Sequence, residues 1–150
     1  KHVAIYMAND GELDPRVIAE QLWKMDKFCY LPVLHPTNHR ELWFVRFTPD
    51  TPLKLNRFKI LEPDHRQNHK IPAHLLDAVL LPLVGFDRSG ARLGMGGGFY
   101  DRTFAFHQHK KGKPYLLGIA HACQETPSLE TASWDIPLYG VVTDAEVILC

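Results

Sequence analysis

Cysteine is scarce in this chain. The 3 present, Cys29, Cys123 and Cys150, are odd in number and widely spaced. They form no CxxC pair and no zinc-ligand pattern, which argues against a disulfide scaffold or a zinc ribbon. We expect free thiols in a reducing compartment. An excess of one charge sign is also lacking: 17 Lys and Arg balance 17 Asp and Glu, and the pI is about 7.3. No field is available to steer a polyanion, which disfavours a general nucleic-acid-binding role. The longest apolar run, Ala78–Phe86, is broken by Pro82 and Gly85 and is too short to span a bilayer. No charged-then-apolar signal segment opens the sequence. We therefore expect a cytoplasmic protein with no membrane partner. Repeats, low-complexity tracts and linkers are missing as well. The 9 histidines include no HExxH pattern. His35 and His39 are separated by Pro36, so they do not share a helix face, and we read them as loop residues.

What is present is enough for one domain. A chain of 150 residues, 45% hydrophobic, buries roughly two-thirds of the surface its unfolded form exposes. Val3, Ile5 and Met7 alternate with Ala4 and Tyr6, so His2–Met7 reads as a buried strand. It starts almost at Lys1, and we expect a further segment upstream. Asp14 and Pro15 then signal a helix, as N-cap and first helical residue, with Val17, Ile18, Leu22 and Trp23 on one face. Lys27–Val33 is the next strand, and strand–helix–strand at this spacing is a βαβ unit with parallel pairing. Glu41–Phe47 is a further strand, followed by a turn at Thr48–Pro52. Residues 54–67 are ambiguous. Asp77–Leu81 is the strongest buried strand, and Tyr115–Ala120, Val141–Thr143 and Val147–Leu149 follow. The pattern predicts an α/β sandwich around a mostly parallel sheet, with its site outside the carboxyl ends of the strands. The segment Pro82–Asp101 leaves from such an end.

That segment carries the chemistry. In Arg92-Leu93-Gly94-Met95-Gly96-Gly97-Gly98-Phe99-Tyr100-Asp101-Arg102, four glycines fall within five positions. Glycine permits positive φ and close backbone approach, so successive amides can converge on an anion. A helix over Phe99–His109 points its positive end at the same place. Arg92 and Arg102 add forked guanidinium groups suited to phosphate oxygens. Asp101 adds a hard carboxylate of the kind Mg²⁺ accepts beside phosphate. Together they make a metal–polyphosphate site. A plain glycine-rich connector with Asp101 as a helix-terminal charge fits the pattern equally well. The loop is no Walker motif, because no Gly-Lys-Ser/Thr follows. It is no dinucleotide fingerprint either, because Phe99 stands where the third glycine belongs.

The stretch LPLVGFDRSGARLGMGGGFYDR closely resembles the signature of the 5-formyltetrahydrofolate cyclo-ligase family. Tyr6–Pro15, Lys27–Pro32 and the closing Trp134-Asp135-Ile136-Pro137 with Val142-Thr143 extend the resemblance over most of the chain. The resemblance implies a three-layer αβα sandwich, and conversion of 5-formyltetrahydrofolate, ATP and Mg²⁺ to 5,10-methenyltetrahydrofolate, ADP and phosphate. It implies ATP binding by Arg92, Leu93, Gly94, Met95, Gly96, Gly97, Gly98, Phe99 and Tyr100, with Arg92, Tyr100 and Asp101 catalytic. Folate is then expected at Glu12, whose carboxylate matches the acid pairing with the pterin N2–N3 edge, and at Met7, Met95, Gly96, Gly97, Gly98 and Phe99. Trp43, Phe44 and Phe58 are further candidates for a pterin wall. Asp101 and Asp135 match the magnesium carboxylates. A single domain and a monomer are expected. Three departures stand out: the family's basic N-terminal helix lies upstream of Lys1, its threonine is Pro15 here, and its last aspartate falls at Tyr139. The alternatives are a non-catalytic folate- or nucleotide-binding relative, and a sugar-phosphate isomerase, for which no acid/histidine constellation is found.

Overall fold

Val79 and Leu81 point to one side of their strand and Leu80 to the other, and all three are buried. A strand buried on both faces needs a covering layer on each. The structure, a computed structural model, describes residues 1–8, 11–34, 41–66, 68–93, 98–107, 112–132 and 135–150. Its strands are β1 (His2–Ala4), β2 (Phe28–Leu34), β3 (Leu42–Phe47), β4 (Leu53–Leu55), β5 (Leu61–Pro63), β6 (Lys70–Ile71), β7 (Ala78–Pro82), β8 (Gly85–Phe86), β9 (Arg92–Leu93), β10 (Tyr115–Ile119), β11 (Gly140–Val142) and β12 (Val147–Leu149). Helices are α1 (Arg16–Lys24) and α2 (Phe99–Thr103), with 3-10 turns at Ala73–Leu75, Ala105–His107 and Ala122–Gln124.

Eight strands form one sheet in the order β12-β11-β10-β7-β1-β2-β3-β6. The inner pairs β11–β10, β10–β7, β7–β1 and β1–β2 are parallel. Towards both edges the pairing turns antiparallel, at β12–β11, β2–β3 and β3–β6. This is the α/β architecture with a mostly parallel sheet that the sequence predicts, including the parallel βαβ unit β1–α1–β2. Two hairpins, β4–β5 and β8–β9, stand apart from the sheet.

The core lies on both faces. One side gathers Ala4, Tyr30, Phe44, Val79, Leu81, Phe86, Phe104 and Leu116. The other gathers Ile5, Ala19, Cys29, Leu31, Leu80 and Ile119. Burial pushes the Cys29 thiol up to about 12, while Cys123 and Cys150 are exposed and all three are free. Among the described residues no helix is long and apolar enough to cross a membrane.

Several expectations need correction. Helix α1 begins at Arg16, with Pro15 as its cap residue. Asp14 still serves the helix end, because its Oδ1 accepts the Arg16 amide at 3.0 Å. The inward stripe is buried Ala19 with partly buried Leu22 and Trp23, while Val17 is 67% exposed and Ile18 is 36% exposed. Trp23 sets this rotation: its indole donates to the Phe47 carbonyl at 2.9 Å and its ring meets the Phe47 ring edge-on. Helix α2 stops at Thr103 and passes through Phe104 into the 3-10 turn, instead of running to His109. Phe104 is fully buried against Phe44, and this anchor takes the place of a further helical turn. Residues His35, His39 and Trp134 lie outside the described residues.

The segment after β7 is fastened by one buried carboxylate. Asp87 Oδ1 accepts the Ser89 amide (2.9 Å), the Ser89 hydroxyl (2.6 Å) and the Ala91 amide (3.2 Å). Its Oδ2 accepts the Leu129 amide at 2.9 Å. These bonds, the Ser89 hydroxyl foremost, hold the Asp87 carboxyl below its ordinary range. A carboxyl depressed in the folded state contributes stability that is present above its unfolded pKa and is lost as pH falls through the folded value. Asp87→Asn keeps the size but turns a donor toward backbone N–H groups. It should cost about 1–3 kcal/mol at neutral pH, read as a lower urea midpoint. The gap to wild type should begin to close below about pH 4, where the unfolded carboxyl takes up its proton.

Candidate functional site

Arg92 follows directly on the Asp87 turn. With Ser89, Asp101, Ala132, Asp135 and Ile136 it lines a cleft of about 260 Å³. Its guanidinium donates through Nη2 to Asp101 Oδ1 at 2.5 Å, and the two side chains are only 10% and 17% exposed. The Ile136 amide donates to the same oxygen at 3.0 Å. Arg92 Nε is buried and lacks a hydrogen-bond partner among the described residues. Asp135 folds back so that its Oδ2 accepts the Ala132 amide at 2.8 Å. The cleft thus holds one guanidinium and two carboxylates brought from distant segments.

That donor set suits an anion and a hard cation together. A buried N–H without a partner costs free energy that an incoming anionic oxygen would recover. Among the described residues both hydrogen bonds to Asp101 fall on Oδ1. Among the described residues no three His, Cys, Asp or Glu side chains stand close enough to hold a metal by themselves. A divalent ion here would take its remaining ligands from substrate oxygens and water, the usual habit of Mg²⁺.

The glycine loop is seen from its two ends. Leu93 is half-exposed in β9, and Gly94, Met95, Gly96 and Gly97 lie outside the described residues. Gly98 sits in the left-handed region at φ +67, and a Cβ there would meet Arg102 Nη1 at 2.7 Å. The left-handed backbone favours glycine at this point. Gly98 caps α2, its carbonyl accepting the Arg102 amide at 3.0 Å. Phe99 stands between the Arg102 guanidinium, 5.5 Å from its ring centre, and the Phe58 ring at 6.1 Å.

Tyr100 connects this loop to Glu12. Burial raises the pKa of the Tyr100 hydroxyl; the Glu12 charge raises it further, and Arg92 acts the other way. Tyr6 is raised first by burial and then by the same Glu12, with Tyr100 and Asp14 adding to it. Glu12 therefore lies within electrostatic reach of both phenols, which stay protonated as hydrogen-bond donors. The Tyr6 hydroxyl donates to the Leu13 carbonyl at 2.6 Å and fixes the segment that carries Glu12. His121, just beyond β10, bonds the Gly11 carbonyl through Nε2 at 3.1 Å. Met7 is partly buried against the second core cluster. Glu12, Arg92 and His121 all sit past the carboxyl ends of parallel strands, where sites in such sheets form.

Other candidates separate. Phe44 is 1% exposed and belongs to the core, and Trp43 packs against His65 and under Lys70. Phe58 does reach the loop, through Phe99. Sequence reasoning passed over Tyr6, which reads as one more apolar position of a strand, and Asp87, which reads as an ordinary turn residue.

An α/β fold with a glycine loop and an arginine–carboxylate cleft at its strand ends is the class these features define. Residues 1–144 match the family model described as the 5-formyltetrahydrofolate cyclo-ligase family, and the chain belongs to that family. The 5-formyltetrahydrofolate cyclo-ligase of Escherichia coli is 48% identical over 145 residues, covering 97% of this chain and 79% of that protein. The Haemophilus influenzae protein of the same name is 44% identical over 142 residues, covering 95% and 75%. The NMR structure of Aquifex aeolicus 5,10-methenyltetrahydrofolate synthetase superposes with a TM-score of 0.79 at 31% identity, covering 99% of this chain and 71% of that one. The chain is an enzyme of this ligase family.

Proposed function

We propose that the chain cyclises 5-formyltetrahydrofolate to 5,10-methenyltetrahydrofolate with consumption of ATP, Arg92, Tyr100 and Asp101 acting at the reacting end. The observation that carries this reading is the position of α2. Asp101 on α2 shares a cleft with Arg92 and Asp135, while the preceding Tyr100 lies within the electrostatic reach of Glu12. A phosphate-binding cleft and a candidate pterin acid thus meet across one helical turn.

The chemistry has a clear need for such a junction. An N-formyl oxygen is amide-like and leaves poorly. In the proposed sequence that oxygen attacks the γ-phosphorus and ADP departs; N10 then bonds to the formyl carbon, the phosphorylated oxygen leaves as phosphate, and N10 gives up its proton. Such steps ask the protein chiefly for positioning and charge neutralisation. The Arg92 guanidinium, whose Nε–H lacks a partner among the described residues, is suited to the transferred phosphate. The Glu12 carboxylate can accept two N–H groups of the pterin edge at once and fix the formyl group's direction. Tyr100, kept neutral, supplies a hydroxyl donor between the two. The glycines 94 and 96–98 would bring backbone amides against the phosphates. Asp101 and Asp135 are the residues that would hold Mg²⁺. When bound, that ion neutralises phosphate charge.

The test is direct. Growth of the methenyl absorbance from 5-formyltetrahydrofolate should require both ATP and a divalent metal. Asp101→Asn should lower turnover and weaken metal-dependent ATP binding while the fold is retained, as seen by circular dichroism. Activity and metal dependence equal to wild type in this variant would remove Asp101 from the site.

Glu12→Gln should act on the other substrate. Losing one charge-assisted acceptor pair costs about 1.5–3 kcal/mol, roughly ten- to a hundredfold in the KM for the folate. The KM for ATP should change far less. Equal losses for both substrates would mean that Glu12 supports the structure and does not touch the pterin.

A further inference from the structure

The turn that follows β10 has no part in the reaction above, yet it touches both halves of the site. His121 precedes the 3-10 turn Ala122–Gln124, and the Gln124 side chain faces two ways. Its Oε1 accepts the His121 amide at 2.7 Å, and its Nε2 donates to the carbonyls of Leu83 at 2.7 Å and Val84 at 3.2 Å. From Val84 the chain of bonds enters the stem of the glycine loop, because the Val84 amide donates to the Leu93 carbonyl at 2.8 Å. From His121 it runs the other way. The imidazole Nε2 meets the Gly11 carbonyl at 3.1 Å, and since a carbonyl only accepts, Nε2 carries the proton. The turn itself is fastened on both sides, Ala122 donating to Asp144 Oδ1 at 2.6 Å and the Thr126 amide to the Phe86 carbonyl at 2.8 Å.

The sheet order gives this bridge its purpose. Strand β7 lies between β10 and β1, and the β8–β9 hairpin stands apart from the sheet. The exits of β1 and β10 are thus two strand spacings, roughly 10 Å, apart. Glu12 rides on the connection after β1, and Arg92 on the hairpin after β7. Tyr6 holds the Leu13 carbonyl from the end of its own strand, whereas His121 holds the Gly11 carbonyl from across β7. Glu12 therefore sits between two held carbonyls, and one of them refers its position to the stem of the glycine loop.

We propose that His121 and Gln124 are positioning residues, a brace that sets the distance between Glu12 and the glycine-loop stem and thereby the approach of the two substrates. The proposal rests on the folate and ATP reading of the site. Neither residue has to touch a substrate. Each substrate binds through its own half-site, but reaction needs the formyl oxygen aligned with the γ-phosphorus, and a misplacement of about 1 Å can cost on the order of a hundredfold in rate. Loss of the brace belongs in the chemical step and not in affinity.

Three measurements test this: the single-turnover rate of methenyl formation with both substrates saturating, the affinity for 5-formyltetrahydrofolate alone, and the affinity for a non-hydrolysable ATP analogue alone. His121→Ala and Gln124→Ala should each slow the single turnover about ten- to a hundredfold. Both affinities should stay within about threefold of wild type, since Glu12 remains and Tyr6 still holds Leu13. His121→Gln, whose amide N–H can take the place of the Nε2 donor, should recover most of the rate. Gln124→Glu keeps the acceptor for the His121 amide but loses the donor to Leu83 and Val84, and should be as slow as Gln124→Ala. His121 is partly exposed, so His121→Ala decides the matter even where Gln124→Ala fails to fold. An unchanged single-turnover rate in His121→Ala overturns the proposal. So does a folate affinity that falls as far as the rate, which would make His121 a support of the Glu12 segment alone, and so does a His121→Gln variant as slow as His121→Ala. A wild type that forms no methenyl product overturns the proposed function and the brace with it; an active wild type matched by its variants overturns the brace only.

Discussion

The four hydrogen bonds accepted by the Asp87 carboxylate tie together two stretches that the sheet alone leaves free. One is the turn that delivers Arg92. The other is the segment at Leu129, which precedes Asp135. Both walls of the cleft therefore refer to a single buried charge, and a shift of that charge would move guanidinium and carboxylates together. Gly90 completes the arrangement at φ +98: a Cβ there would lie 2.9 Å from the Leu138 carbonyl, so the turn can close on Leu138 only with glycine in place. The energetic logic is that of a fully satisfied buried carboxylate, costly to desolvate and costlier to leave unpaired.

The Arg92–Asp101 pair applies the same logic to the site. Each group compensates the other's burial, and the Ile136 amide fixes the shared oxygen. The guanidinium is held in place before any phosphate arrives, which limits the ordering cost of binding. Its remaining donors, including the lone Nε–H, are where an anion gains most. The pair also shows how a chain of zero net charge could offer an anion a local, prepared field without one over the whole surface.

Much of this was legible in the sequence wherever local pattern and tertiary structure agree. Val79, Leu80 and Leu81 read as a doubly buried strand because a parallel sheet demands it. His2–Met7, the helix signal at Asp14–Pro15 and the strand at Lys27 read as βαβ for the same reason. The glycine run read as one that permits positive φ, and Gly98 adopts it. What stayed hidden was decided by contacts distant in sequence. The rotation of α1, with Val17 and Ile18 turned outward, follows from the bond between Trp23 and the Phe47 carbonyl. The early end of α2 follows from Phe104 docking on Phe44. The role of Asp87 stayed hidden because its bond to Leu129 has no local signature. Residues 54–67 stayed ambiguous because β4 and β5 pair only with each other and bury little. In the cleft, Arg92, Asp101 and Asp135 lie together, and in the sequence only a resemblance joined Asp135 to the others. Nothing in the spacing of Tyr6 showed that it shares Glu12 with Tyr100.

The strand order has a consequence for how the molecule assembles. Strand β1 lies between β2, which follows it closely, and β7, so Val3 pairs with both Cys29 and Ala78. The β1–α1–β2–β3 portion has short connections and can form early. The middle of the sheet must wait until the chain has been synthesised through Pro82, and its far half until β10 and β11 emerge. Closing such long loops before their contacts are gained makes for slow folding. During that interval the edge of β1 is bare. The cleft walls meet late, because Asp87 gains its bond to Leu129 only once the chain has been synthesised past Leu129. Maturation of the site and completion of the fold are therefore the same late event.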